Sequence, residues 1–241
     1  MRHKVSCIDL GKGEAVVILP SMWLTSESYR SLAQKLSLNF RVIVPDLFRG
    51  DTKSPKRAKS IESYTDELKN LLEDLEIKKY SLIGLSFSGL IVVDYLKKYP
   101  GYLNKAVLVS SPDLTKGECV TAAMGFFGFI KLFTNYAKTL PKLRIFNNLI
   151  KDSIRNYFLK HPVQFFLDIG VAISYKDTRI ENFPVPTKIF WADEDEFFGE
   201  ILPNIENLKI PNFNEEKIKG HHCWFFDDEE LATKKFRDCL K

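Results

Sequence analysis

The sequence predicts an α/β fold with a mostly parallel central sheet flanked by helices. Three observations carry that expectation. Short runs rich in Val, Ile and Leu recur along the 241 residues. Segments with helical spacing of apolar residues lie between them. Most of the runs are apolar at every position, as in strands that a parallel sheet covers on both faces. Alternation of such strands with helices is the pattern of a layered α/β domain.

Taken in order, "VSCIDL" (5–10) and "AVVILP" (15–20) flank Gly11-Lys12-Gly13 and read as a β-hairpin. "RVIVPD" (41–46), "YSLIGL" (80–85), "AVLVSS" (106–111) and "TKIFWA" (187–192) follow as further strands. Ile61, Tyr64, Leu68, Leu71, Leu72 and Leu75 share one helical face, with Ser60 as its N-cap. "SGLIVVDYLKKYP" (88–100) reads as a helix that stops at a proline. "DDEELATKKFRDCL" (227–240) opens acidic and turns basic, which suits the helix dipole.

From about Asp113 to Phe183 the patterns are helical and no strand stands out. Ligands of open parallel sheets bind outside the carboxyl ends of the strands. A helical insertion there is expected to form a lid. The expected division is a core of residues 1–112 and 184–241 with a helical cap of 113–183. Phe126, Phe127, Phe129, Phe133, Phe165 and Phe166 either line an apolar pocket or form the cap's own core. Their helical spacing favours the second reading. Lys131, Lys138, Lys142 and Arg144 fit a solvated helix face better than a site for an acidic substrate.

Bulk properties exclude several classes. Apolar content of 45% and charged content of 27% are ordinary for a globular protein. The net charge of +4 is weak and diffuse, so no nucleic-acid partner is expected. The one dense basic stretch, "KSPKRAK" (53–59), contains Pro55 and reads as a solvated loop. Cys7, Cys119, Cys223 and Cys239 show neither CxxC nor zinc-ligand spacing. No metal and no other cofactor is expected, since no dinucleotide fingerprint is present either. The amino-terminal residues lack a signal-peptide core, and a reduced, cytoplasmic compartment is the expectation. "CVTAAMGFFGFI" (119–130) falls short of the roughly 20 residues of a membrane span and reads as a buried or interfacial helix.

The chemistry centres on "GLSFSG" (84–89), which sits between a strand and a helix. That is the setting of a G-x-S-x-G nucleophile elbow. The turn brings the backbone close to itself, so positions two before and two after the nucleophile must be small. For Ser86 they are Gly84 and Ser88. For Ser88 they are Ser86 and Leu90, and leucine does not fit. Ser86 is therefore the candidate. A general base must follow. His3 precedes the serine and His161 lies in the insertion, which leaves His221 and His222 in "KGHHCWF". An acid is expected at the end of the preceding strand, where Asp193, Glu194, Asp195 and Glu196 are the candidates.

These motifs, with "RVIVPDLFRGDTKS", "YPGYLNKAVLVSSP", "TKIFWADEDEF" and "IKGHHCWFFDDEEL", make the chain resemble the α/β-hydrolase superfamily in order and spacing. The resemblance covers nearly the whole chain and is weakest in the insertion. It implies an α/β-hydrolase fold with a helical cap. It also implies a Ser86–His222–Asp195 triad, because the acid in similar sequences falls four residues after the tryptophan. His222 fits better than His221 by its spacing to Asp227. The oxyanion donors it implies are the backbone N–H groups of Met22 and Phe87. Asp46 and Ser54 match positions that are structural in the family. Three departures stand out: Pro20-Ser21 where His-Gly is common, Ser88 for the second glycine, and Ala192 for another. The implied activity is hydrolysis of a carboxylic ester or related small, apolar acyl substrate through an acyl-enzyme. An acyltransferase or C–C bond hydrolase on the same triad, or a non-catalytic ligand-binding homologue, are the alternatives. The sequence carries no signal of oligomeric state.

Overall fold

The computed structural model describes residues 5–47, 60–111, 122–175, 180, 182–198 and 211–241. Its strands are β1 (Cys7–Leu10), β2 (Ala15–Leu19), β3 (Arg41–Pro45), β4 (Tyr80–Leu85), β5 (Leu103–Val109), β6 (Thr187–Ala192) and β7 (Phe213–Ile218). They form one sheet in the order β1-β3-β2-β4-β5-β6-β7. β1 is antiparallel to β3, and every other pair is parallel. β2 and β4 are buried at every position. That burial is why β2 reads as an unbroken apolar run and β4 as one broken only by Ser81.

One expectation about the sheet needs correction, and one strand was not foreseen. β1 and β2 do not form a hairpin, because β3 lies between them. β2 is apolar throughout and takes an interior place, paired with β3 and β4. The connection passes tightly beneath the entry to β3. A Cβ on Gly11 would lie 2.2 Å from Phe40 O, and Gly11 has φ +79°. The glycines therefore serve a close crossing rather than a two-strand turn. β7 is the strand that was not foreseen. Its "FNEEKI" is polar because it is an edge strand with only Ile218 buried, so no apolar run announced it.

The helices are α1 (Arg30–Leu36), α2 (Ile61–Asp74), α3 (Ser88–Lys98), α4 (Ala122–Tyr136), α5 (Leu140–Asp152), α6 (Pro162–Ser174), α7 (Trp224–Asp227) and α8 (Glu229–Leu240). Successive strand residues point to opposite faces. Val17, Leu19, Leu82 and Leu108 pack with α2 and α3 on one side. Val16, Ile18, Ile83 and Val107 pack with α1 and α8 on the other. Ser60 caps α2 by accepting from Ser63 N at 3.3 Å. Asp228 caps α8 by accepting from Leu231 N at 2.9 Å.

Residues 122–175 are helical apart from short connections, with a π-helical turn at Ser153–Phe158. Buried polar ties hold α5 and α6 against the sheet layers. Asp168 on α6 is fully buried and accepts from Tyr64 OH of α2 at 2.5 Å, from Gln164 Nε2 at 2.7 Å and from Tyr157 OH. Asp152 at the end of α5 accepts from Thr25 N at 2.9 Å. The phenylalanines depart from expectation: Phe127, Phe133 and Phe166 are exposed, not core. α4 turns Gly128, Leu132 and Tyr136 inward instead. The side chains of Phe126, Phe129 and Phe165 lie outside the described residues, as do His3, Ser54, Cys119 and the basic stretch 53–59. No helix among the described residues is long and apolar enough to cross a membrane.

Candidate active site

The strand order reverses at β2: the chain moves outward to β3, then returns across to β4. A crevice opens at such a reversal, outside the carboxyl ends of the strands. Leu19 and Gly84 are partners at the ends of β2 and β4. The loop beginning at Pro20 and the turn at Ser86 therefore leave the sheet side by side.

Ser86 has φ +55°, a left-handed conformation that costs a non-glycine residue about 1–3 kcal/mol. Its surroundings hold it there. Ser86 N donates to Val109 O at 2.8 Å, and Gly89 N donates to Ser86 O at 2.9 Å. The small residues around it have steric causes. A Cβ on Gly84 would lie 2.7 Å from Val92 Cγ2 and 2.9 Å from Gly89 Cα. A Cβ on Gly89 would lie 2.0 Å from Ser111 Oγ. Ser88 opens α3, is fully buried, and donates to Leu19 O at 2.8 Å while accepting from Leu85 N at 2.9 Å. Its hydroxyl thus ties the end of β2 to the turn after β4.

His222 Nε2 lies 2.8 Å from Ser86 Oγ. His222 Nδ1 lies 2.9 and 3.0 Å from the two carboxylate oxygens of Asp195. Both residues are buried. Asp195 Oδ1 also accepts from Phe197 N and Phe198 N at 2.9 Å each, which fixes the carboxylate. The Phe197 and Phe198 rings flank the imidazole, with centroids 4.6 and 5.5 Å away. Apolar walls of this kind strengthen the hydrogen bonds they enclose.

The acidic run around Asp195 divides into separate tasks. Asp193 Oδ1 accepts from Gly220 N at 2.8 Å, where Gly220 turns with φ +142°. Glu196 accepts from His222 N at 3.0 Å and from Asn135 Nδ2 of α4 at 2.5 Å. Glu194 is exposed. His221 points away from Ser86: its Nε2 lies 2.5 Å from Asp227 Oδ2, and its ring meets Tyr136 edge-on at 4.9 Å. Burial pushes the Asp227 carboxyl up, but His221 and Lys142 outweigh it and leave it below the usual range. Cys223, next in the chain, is pushed well up by burial and by Glu196, Asp195 and Asp227, so its thiol stays protonated and unreactive. His161 is buried at the start of α6, with its ring near Tyr157.

The loop after β2 lacks the glycine that its family position commonly carries, and other contacts fix it. Trp23 takes φ +66°. Tyr29 OH accepts from Ser21 N and donates to Ser21 Oγ, both at 2.9 Å. Ser26 N donates to Asp46 Oδ1 at 2.7 Å, a structural use of Asp46. Asp152 takes Thr25 N, Thr25 Oγ1 at 2.8 Å and Ser28 Oγ at 2.6 Å. Met22 sits inside this braced loop. Tyr29, Asp152 and Glu196 escaped assignment from sequence. Only Glu196 had a signal, its place in the acidic run. No cluster of three metal-ligating side chains occurs among the described residues.

The family model for the alpha/beta hydrolase fold matches residues 14–150. AB hydrolase superfamily protein YisY of Bacillus subtilis is 24% identical, over 93% of this chain and 91% of its own. The 2-hydroxy-6-oxo-6-phenylhexa-2,4-dienoate hydrolase of Burkholderia cepacia is 28% identical, over 84% of this chain and 77% of its own. Among solved structures, a bromoperoxidase from Bacillus anthracis superposes with a TM-score of 0.71 at 24% identity, covering 97% of this chain and 94% of that one. The family match spans more than half of the sequence, and the sheet order and elbow agree with it: the chain belongs to the α/β-hydrolase superfamily.

Proposed function

We propose that this protein is a serine hydrolase that cleaves a carboxylic ester or related small acyl substrate. The observation that carries the reading is the unbroken line from Ser86 Oγ through His222 to Asp195, with steps of 2.8 and 2.9 Å. Ser86 Oγ attacks the acyl carbon while its proton passes to His222 Nε2. Asp195 holds the Nδ1–H tautomer and stabilises the imidazolium. The developing oxyanion is met by the N–H groups of Phe87, at the positive end of α3, and of Met22. Collapse breaks the bond to the leaving alkoxide, which takes the proton from Nε2. Water then attacks the acyl-serine, gives its proton to His222 and releases the acid, and Ser86 recovers its proton. Helices α4–α6, within a cap of 113–183, form the lid over this site. An apolar acyl group suits the Phe197 and Phe198 rings beside His222. The free thiols of Cys7, Cys223 and Cys239 suit a reducing, cytoplasmic compartment.

The test is hydrolysis of p-nitrophenyl esters from acetate to decanoate by the wild type and Ser86→Ala. The expected result is turnover that falls by about 10⁶ in the variant if the triad acts as a unit. Equal rates in both proteins would overturn the proposal. A second reading, C–C bond cleavage on the same triad, is favoured by the name of the Burkholderia cepacia relative, a 2-hydroxy-6-oxo-6-phenylhexa-2,4-dienoate hydrolase. It predicts turnover of a 2-hydroxy-6-oxo-dienoate at a higher kcat/KM than any ester.

A further inference from the structure

We propose that the outward surface of helices α4 to α6 docks on an anionic lipid bilayer. Eleven large hydrophobic side chains are exposed among the described residues, and ten of them lie between 127 and 167. On α4, Phe127, Ile130 and Phe133 form an outer stripe, while Gly128, Leu132 and Tyr136 face inward. On α6, Val163 and Phe166 are outside, while Gln164, Asp168 and Val171 are inside. Both helices thus leave large apolar side chains open to water even where, as for Phe133 on Phe146 and Phe166 on Phe158, rings touch within the segment. A globular protein that works free in water rarely concentrates apolar side chains in this way.

The charges choose the occupant. Residues 122–175 contain seven Lys and Arg and only two acids, Asp152 and Asp168. Both acids are buried and occupied with inward partners. Lys131, Lys138, Arg144, Lys151, Arg155 and Lys160 are all exposed. Lys142 is drawn to Asp227 of the core. Segment 122–175 therefore carries +5 by formal charge, against +4 for the whole chain, so the remainder is slightly negative. Its surface presents cations and apolar side chains with no exposed carboxylate among the described residues. That combination matches the interface of a bilayer bearing anionic headgroups, where apolar groups enter the acyl boundary and Lys or Arg meet phosphates. A second copy of this chain would set like charge against like. Binding is peripheral, since no described helix is long and apolar enough to span.

Flotation of the full-length protein with vesicles tests this. Vesicles of phosphatidylglycerol and phosphatidylcholine at 3:7 are compared with pure phosphatidylcholine, at roughly 0.1 and 0.5 M NaCl, where screening lengths differ about twofold. The expected result is binding to the anionic vesicles at low salt, reduced about tenfold or more on pure phosphatidylcholine and weakened at high salt. The double variant Phe127→Ser/Phe166→Ser should lose binding about tenfold with an unchanged circular dichroism spectrum. Leu38→Ser, at an exposed apolar residue outside the segment, should bind as the wild type does. Ser86→Ala should bind normally, which separates this proposal from the catalytic one. Three results would overturn it: no flotation, equal flotation on both vesicles, or dimers that the double variant abolishes in sedimentation velocity.

Discussion

Replacing Asp152 with alanine tests how the loop after β2 is held. Asp152 is only 8% exposed. It accepts from Thr25 N at 2.9 Å, Thr25 Oγ1 at 2.8 Å, Ser28 Oγ at 2.6 Å and Asn156 Nδ2 at 2.8 Å. A hydrogen bond to a charged group contributes about 1.5–3 kcal/mol, and bonds sharing one acceptor do not add in full. A total loss of about 3–5 kcal/mol is expected, because Thr25 N stays buried without its acceptor. At 2–4 °C per kcal/mol for a chain of this size, Tm should fall by about 6–20 °C. Thr25 lies three residues from Met22, so the loop loosens where an oxyanion donor is proposed. Losing such a donor costs about 2.7–4 kcal/mol of transition-state stabilisation, and a loosened one should cost part of that. The expected drop in kcat is about 10- to 100-fold, with KM nearly unchanged, since the oxyanion forms only in the transition state. Asp152→Asn keeps one acceptor oxygen and should fall between. Steady-state kinetics on a p-nitrophenyl ester, below the variant's melting temperature, supply the numbers. If Tm falls and kcat stays within twofold, Tyr29 and Asp46 hold the loop without Asp152 and the reasoning fails.

Other outcomes follow from the same geometry. His222→Ala should lose about as much activity as Ser86→Ala, whereas His221→Ala, whose ring meets Asp227, should lose roughly tenfold or less; parallel kinetics on the two variants decide this. Ser88→Ala removes the link between Leu19 O and Leu85 N and leaves both buried, so it should cost about 1–3 kcal/mol in urea unfolding; an unchanged midpoint would rule out the tie. Burial raises the Glu67 carboxyl from 4.5 to about 7, so the folded state holds a proton that the unfolded state releases between those values. Wild-type stability should therefore fall as pH rises from about 4.5 to 7, by at most about 3 kcal/mol and less where water screens the group. Glu67→Gln should match the wild type near pH 4 and exceed it above pH 7, as measured by unfolding across that range.

The interior of the fold was legible because burial on both faces leaves a plain mark. β2, and β4 apart from Ser81, are apolar because both of their faces are covered. β7 left no such mark, since an edge strand with one buried residue reads like a loop. The hairpin was misread because Gly11-Lys12-Gly13 serves either a tight turn or a tight crossing, and only the partner of β1 tells them apart. The tight turn at Ser86 was legible through sterics: small residues were expected at 84 and 88, and a Cβ on Gly84 would strike Val92. Asp195 and Asp193 could not be separated by chemistry alone, because both bind a loop around residue 220 and only distance shows which meets an imidazole. The braces Tyr29 and Asp152 were hidden by separation, Asp152 lying 127 residues from Thr25. On α4 the helical period was clear, but two apolar stripes shared it, and sequence does not say which faces water.

The most direct measurement is mass spectrometry of the folded protein after treatment with a fluorophosphonate. Such a reagent labels a serine only where a base and oxyanion donors activate it. The account predicts one label, on Ser86, absent from His222→Ala. Ser88 should stay unmodified, because it is fully buried and hydrogen-bonded to Leu19 O. A label on another serine, or none on correctly folded protein, would contradict the account.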